Sequence, residues 1–537
     1  MGSQLKRYSS PLKFIVLILI FIIFGGTIFF ITNDDVGVLN NQTNEDRIAQ
    51  NKNNETKQDE IKQNDSNNTN DSESTHSLSG EEQNIINDSN PLVSFNEFVP
   101  NPVPVGSKGT YNLTFEMNDD GRFFVEADIE VENLSEDDWS EIVFYFIPNV
   151  FTTGNEKYEE LLQIYRYSID ASADAKINHI HINEQSTDYE LEYDTLRVLL
   201  SEPLLPNDKR LVSVSYEFSV PMNGMRFKQD QGNYHLAQWY PMLANYNSGW
   251  NKNDYFPIPE SYHTNFSDFH VSFDIPEGFT IFSSSESDPS SGSTAGEFSA
   301  LNVKEMFVSV LQNDMVFQSD YIEDIEIRIS AFSEQSQDVD EALATAKDAI
   351  SYFHNEVGNY PHKQFDIVLG ENLPSMEYPG IVTISSVDPL VHEIAHQWFY
   401  GIISNDPFDE SWFDEGFTTF ATSYYFYDFW KYSEEESFDF PNRHLNSISK
   451  QGVIEPANSS VFDNEEQRLI GLYYGLAPIK IWELLKLNGM QDDATTFLKA
   501  YFDTYAYKQV NTIEFVRFAQ SYFQMEGTVF FEEWLDF

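Results

Sequence analysis

Residues 391–398 run Val391-His392-Glu393-Ile394-Ala395-His396-Gln397-Trp398, and residues 410–418 run Glu410-Ser411-Trp412-Phe413-Asp414-Glu415-Gly416-Phe417-Thr418. On a helix, His392 and His396 are separated by about 400° of rotation, so both imidazoles leave one face a single turn apart. They could grip one metal ion. Glu393 lies roughly 100° round from His392, near enough to reach a water on that ion without ligating it, as a general base would. Glu415 follows His396 with 18 residues between, an interval that allows a loop and a return on an adjacent helix. A carboxylate arriving that way completes a His2Glu set and leaves a fourth position open, the pattern of a catalytic Zn²⁺ site.

The chain around this segment is long and aromatic: 537 residues, 41% hydrophobic, with 45 Phe and 29 Tyr. It can bury more than one sizeable core. Cysteine is absent, which excludes disulfides, a disulfide-linked partner and thiolate metal sites, so any metal must be held by His and carboxylates. With 31 basic and 87 acidic residues the net charge is −56, a field that would repel a phosphate backbone and excludes nucleic acid as a partner.

Residues 1–32 depart from that acidity, holding Lys6, Arg7 and Lys13 and no acid. The uncharged apolar run from Phe14 to Ile31 is about 27 Å long as a helix, enough to cross a bilayer core. Thr32-Asn33-Asp34-Asp35 supplies no small-residue cleavage site, so an uncleaved signal anchor is expected. Positive flanks stay inside, which gives a cytoplasmic tail over 1–13, a lipid-embedded helix over 14–31 and everything later outside the cell. Residues 32–90 are polar and lack aromatics, as expected for a stalk that cannot bury enough apolar area to order.

Between 91 and 315 period-two alternation dominates, as in Tyr111-Leu113-Phe115 and Val212-Val214-Tyr216-Phe218, and predicts a large, mostly antiparallel β domain. The period then changes. Val339, Leu343, Ala346, Ile350, Phe353 and Val357 fall at alternating steps of four and three, an amphipathic helix ended by Gly358. Phe365 to Leu369 reads as a strand, and most segments after Leu390 as helices, so 316–537 is an α+β domain. His179 and His181 would share a strand face, with no acid or third His nearby to complete a second site.

The His392–Glu415 pattern, with Trp412, Asp414 and Gly416, resembles the gluzincin zinc aminopeptidases related to membrane alanyl aminopeptidase and leukotriene hydrolase. That resemblance implies a β domain packed on a thermolysin-like zinc-peptidase domain, in a short bacterial-type member. About 15 residues upstream, Ser375-Met376-Glu377-Tyr378-Pro379-Gly380 matches the family's Gly-x-Met-Glu-Asn block with Tyr in place of Asn, and implies that Glu377 holds a substrate's α-amine. His235-Leu236-Ala237-Gln238-Trp239-Tyr240-Pro241 is similar to the β-domain edge from which a glutamine approaches substrate, here Gln238. The family's oxyanion tyrosine, usually Tyr-x-x-Gly, corresponds to Leu472-Tyr473-Tyr474-Gly475. Strict alignment on the glycine lands on Leu472, so Tyr473 is expected in the role, with Tyr474 the other candidate.

Function follows as an expectation: one Zn²⁺ held by His392, His396 and Glu415, Glu393 as general base, and peptides as substrates losing N-terminal residues outside the cell. Only 122 residues follow Glu415, so the closing domains of larger members are not expected and the cleft should be more open. That leaves a zinc endopeptidase or oligopeptidase as the rival enzyme. A surface binding or sensory protein on the same fold is the rival from another class, disfavoured because such a module needs no general base beside a metal.

Overall fold

Each period-two run places an apolar side chain on every second position of a pleated face. In Ser107–Met117 the inward set is Tyr111, Leu113, Phe115 and Met117, and in Arg122–Asn133 it is Phe123, Val125, Ala127, Ile129 and Val131. The structure is a computed structural model and describes residues 97–537 apart from 158–172, 223, 225, 257–259, 261, 451, 453 and 463–465. The tail, anchor and stalk expected over 1–90 lie outside these residues. Among the described residues no helix is long and apolar enough to cross a membrane.

Seven strands form one sheet in the order Ala295–Val303, Ser267–Asp274, Ser107–Met117, Arg122–Asn133, Lys209–Ser219, Ala175–Ile182 and Gln185–Ser186. Its pairings are antiparallel except that of Ser107–Met117 with Ser267–Asp274. A four-stranded sheet containing Trp139–Tyr145 and Thr195–Leu204 shares its core, which takes in Phe144, Leu196 and Val198 together with Val125 and Val212. A third sheet, with Phe279–Ser283, Val308–Gln312, Asn233–Leu236 and Phe227–Asp230, faces the other half of the molecule. Phe282, Phe307 and Leu311 there pack with Val368, Met376, Tyr378 and Ile381 in a small shared core.

The second half begins with a sheet ordered Val316–Ile322, Ile325–Ala331, Gln364–Leu369 and Ile381–Ile384, of which the last three are parallel. Parallel neighbours need a crossover, and helix α1 (Val339–Glu356) supplies it, burying Val339, Leu343, Ala346, Ile350 and Phe353 on one side. Helices α2 (Leu390–Phe399) and α3 (Ser411–Asp428) follow. Trp398 Nε1 donates to the Gly358 carbonyl at 2.7 Å, tying α2 to the end of α1. Next come α4 (Asp439–Ser449), α5 (Glu466–Gly471), a π-helical turn at Leu472–Leu476 and α6 (Ala477–Leu487). An aromatic cluster seats α3, with Trp412 4.0 Å from Phe413 and 5.2 Å from both Phe515 and Trp534, ring to ring.

A buried ionic contact crosses between the halves. Arg328, on a strand of the parallel sheet, donates from Nε to Asp366 at 2.8 Å and also pairs with Asp288 from the β half. Both carboxylates are fully buried and Gln364 Nε2 bridges to Asp288 at 3.1 Å. Arg328→Met would leave two unpaired buried carboxylates and should lower the unfolding free energy by about 3–5 kcal/mol, read as a fall in the urea midpoint. A midpoint equal to wild type would mean that water already reaches Asp288 and Asp366.

Candidate active site

Because His392 and His396 are one turn apart on α2, their Nε2 atoms converge to 3.0 Å. Glu415, in the first turns of α3, brings Oε2 to 3.2 Å from His392 Nε2 and 3.5 Å from His396 Nε2. The approach of α3 depends on Gly416, since a Cβ there would sit 2.7 Å from the Ala477 Cβ of α6. A tetrahedral ion with bonds of about 2.0–2.1 Å has donor–donor edges of about 3.3 Å, so the three separations match such a centre. His392, His396 and Glu415 form a possible metal site with the donors of a zinc centre.

The other nitrogen of His396 is held from behind. Asp414 Oδ1 lies 2.8 Å and Thr418 Oγ1 3.1 Å from Nδ1, which turns Nε2 toward the other donors. Burial lowers the His392 pKa and so favours its neutral, ligating form. For His396 burial works the same way, but Asp414 and Glu377 overcome it and raise the value well above the usual one. Glu415 is likewise opposed by burial, yet the bonds with His392 and His396 hold it below the ordinary carboxylate range. Burial pushes the Glu393 carboxyl up to about 8.

Glu393 and Glu377 both bring a carboxylate oxygen within 4.8 Å of a His396 ring nitrogen and of each other. The chain around Glu377 is fixed from two sides. Gln397 of α2 accepts from the Gly380 N–H at 2.8 Å and donates to the Tyr378 carbonyl at 3.1 Å, while Met376 pairs with Thr383 at 2.9 and 3.0 Å. The Tyr that replaces the family's Asn stacks on Phe307 of the β half with rings 4.0 Å apart and 8° from parallel. It is a packing residue that joins the Glu377 segment to the neighbouring domain.

Several neighbours of this segment went unnoticed in the sequence. Arg226 pairs with the buried Glu260 at 2.6 Å, Tyr262 bridges Glu305 and Tyr400, and the Lys304 ammonium sits 3.8 Å above the Tyr400 ring. Burial, with Glu260 adding to it, pushes Glu305 up to about 8. Apart from Tyr400 at the end of α2, these residues lie in separate parts of the β half and form no short motif, so only folding assembles them. The result is a buried network of paired acids, bases and tyrosines behind the Glu377 segment.

The two tyrosines part company. Tyr473 is buried and its hydroxyl donates to the Ser459 carbonyl at 2.8 Å, so the expectation that it faces the site is corrected. Tyr474 is the one turned inward: its ring centre is 5.9 Å from that of His392, and its hydroxyl interacts with Glu415. Both lie in the π-helical turn at 472–476, where adjacent side chains leave the helix in different directions. Gln238 is buried at a φ of 58°, with its Nε2 lacking a partner. No hydrogen bond among the described residues links it to the metal donors. His179 and His181 lie on the Ala175–Ile182 strand with rings 4.7 Å apart and tilted by 46°, and join no metal-binding group among the described residues.

The sequence pattern of the peptidase family M1 domain matches residues 382–534, which span both ligand helices and the Tyr474 turn. The chain carries an M1 peptidase domain. Over 202 residues it is 25% identical to leukotriene A-4 hydrolase of Xenopus laevis, a match covering 34% of this chain and 33% of that protein. Over 100 residues it is 29% identical to aminopeptidase 2 of Candida albicans, covering 15% and 11%. The matches thus span a third or less of these curated relatives. In fold it is similar to a mutant M1 zinc metallopeptidase of Deinococcus radiodurans solved with a Tyr-Ser-Ala substrate, with TM-score 0.58, 14% identity and coverage of 80% of this chain and 94% of that one.

Within the M1 domain Asp414 is the residue whose removal isolates the support of the ligands from the ligands themselves. Asp414→Ala should weaken zinc affinity roughly 10–100-fold, measured by competition with a chromophoric chelator. Unchanged affinity would assign the orientation of His396 to Thr418 alone.

Proposed function

We propose that this chain is a zinc aminopeptidase that removes residues from the N-terminus of peptides. The observation that carries the reading is the place of Glu377: a buried acid within 4.8 Å of both Glu393 and a His396 ring nitrogen, on a segment whose backbone Gln397 holds at Tyr378 and Gly380. An anchor for an ammonium at that distance sets the first peptide bond, and no later one, against the metal donors. The names of the Candida relative and of the peptide-bound Deinococcus structure support the choice.

His392, His396 and Glu415 hold the ion, which when bound supplies Lewis acidity toward a carbonyl oxygen and toward water. Glu393 accepts the proton of the attacking water and returns it to the leaving amine. Its buried setting, which raises the carboxyl toward neutrality, suits a group that must both take and give a proton near pH 7. Tyr474 donates its hydroxyl to the developing oxyanion from the His392 side, and Gln238 presents its unpartnered amide nitrogen from the β half. The presentation of this enzyme outside the cell on a retained anchor is part of the proposal, supported by the Phe14–Ile31 run beside three cations.

Glu377→Gln tests the reading directly. It should impair hydrolysis of free-amine peptides on the order of 2 to 4 kcal/mol more than that of their N-acetylated forms, because one partner of a desolvated charge pair is left behind. Efficient cleavage of acetylated peptides by the wild type would instead make the enzyme an endopeptidase.

Glu393→Gln should retain one zinc per chain and lose turnover by several orders of magnitude, with metal content and kcat measured on one preparation. Tyr474→Phe should cost roughly 10²- to 10³-fold in kcat with little change in KM, as for a donor used in the transition state. Tyr473→Phe, whose hydroxyl meets Ser459, serves as the comparison and should alter stability before rate. The reverse outcome would return the oxyanion to Tyr473.

A further inference from the structure

The rings around Tyr474 continue outward from the metal donors. Phe440 and His444 are four residues apart on α4 and therefore share a face. Their rings lie 4.5 Å apart, and each is close to Tyr474, at 6.3 Å for Phe440 and 6.2 Å for His444. With Tyr474 itself 5.9 Å from His392, an unbroken aromatic path leads from the metal donors to Phe440. There it meets solvent, for Phe440 keeps 39% of its surface exposed. A large apolar ring left half open beside polar machinery is an unspent contact.

The surface is rigid. Gly475 lets α4 dock directly on the π-helical turn, since a Cβ there would lie 2.4 Å from the Leu445 backbone nitrogen. His444 adds no charge to it: burial, reinforced by Arg443, brings its pKa down to about 4. Direction comes from the two flanks of the donor triad. Glu377 stands on the His396 side, whereas Tyr474 and α4 stand on the His392 side. A peptide whose amine is held at Glu377 extends past the donors toward α4, so the residue after the first peptide bond arrives there.

We propose that Phe440 and His444 form an aromatic subsite that takes a large apolar or aromatic side chain from the residue on the C-terminal side of the cleaved bond. This rests on the aminopeptidase reading above and adds to it the class of substrate preferred. A ring-on-ring contact and displaced water favour such peptides, whereas glycine at that place gains neither.

The test compares Ala-Phe-Gly with Ala-Gly-Gly in two ways. The zinc-loaded wild type should show a kcat/KM ratio of roughly 10 to 200 in favour of Ala-Phe-Gly, the range an apolar pocket can supply. Phe440→Ala should bring the ratio to near parity, and Phe440→Leu should restore part of it. Calorimetric binding of both peptides to Glu393→Gln, with and without Phe440→Ala, repeats the comparison without turnover. If the wild type cleaves neither peptide yet Glu393→Gln binds Ala-Phe-Gly more tightly and Phe440→Ala removes the difference, the subsite stands and the aminopeptidase reading falls. Equal rates and affinities for the two peptides, or a preference that survives Phe440→Ala, overturns the subsite.

Discussion

Two imidazoles and a carboxylate are brought within 3.5 Å of one another in the interior where α2 crosses α3. Polar groups so placed are costly to bury unless something satisfies them, and the surroundings bear the mark of that constraint. Asp414 and Thr418 engage the rear of His396. Gly416 admits α6 to contact, and the Trp412 cluster holds the first turns of α3 in place, with the indole donating to Thr512 at 2.9 Å. The donor geometry is therefore a property of helix packing, of the kind a preorganised site needs.

The β half contributes the opposite wall. Its Phe307 stacks on Tyr378, its Lys228 donates to the Asn372 carbonyl at 2.7 Å, and its Asp288 pairs with Arg328. Each of these contacts lands on or beside the strands that lead to Glu377. Glu260, Glu305 and Lys304 are buried in the β half as well, with Arg226 pairing Glu260. The shared core keeps the β domain in register with the strands that lead to Glu377.

The tyrosines illustrate how far local pattern can be trusted. Tyr473 and Tyr474 are adjacent and chemically equal, and spacing from the glycine favours neither without an assumption about the helix. A single π-helical turn decides between them, sending Tyr473 to Ser459 and Tyr474 to His392. Such turns interrupt a helix at a small energetic cost and move every later side chain around its axis. Docking of α4 against Gly475 favours that geometry, and α4 lies some thirty residues earlier in the chain.

Local chemistry alone placed His392 and His396 on one face of a helix with Glu393 beside them, because i, i+4 spacing on a helix is geometry that any context preserves, and the 18-residue interval pointed to Glu415 as their partner. It determined the strands and the crossover helix too, since periods of 2.0 and 3.6 report burial on one face. The absence of cysteine and the net charge of −56 removed whole classes of chemistry in advance. What only the tertiary structure decided is whatever depends on residues distant in sequence meeting: the packing role of Tyr378 against Phe307, the Gln397 clamp on Gly380, the buried acids around Glu377, the choice of Tyr474 and the aromatic face of α4. The physical reason is common to them. Each is a contact between elements, fixed by how their surfaces interlock, and no periodicity or motif within one segment encodes the partner.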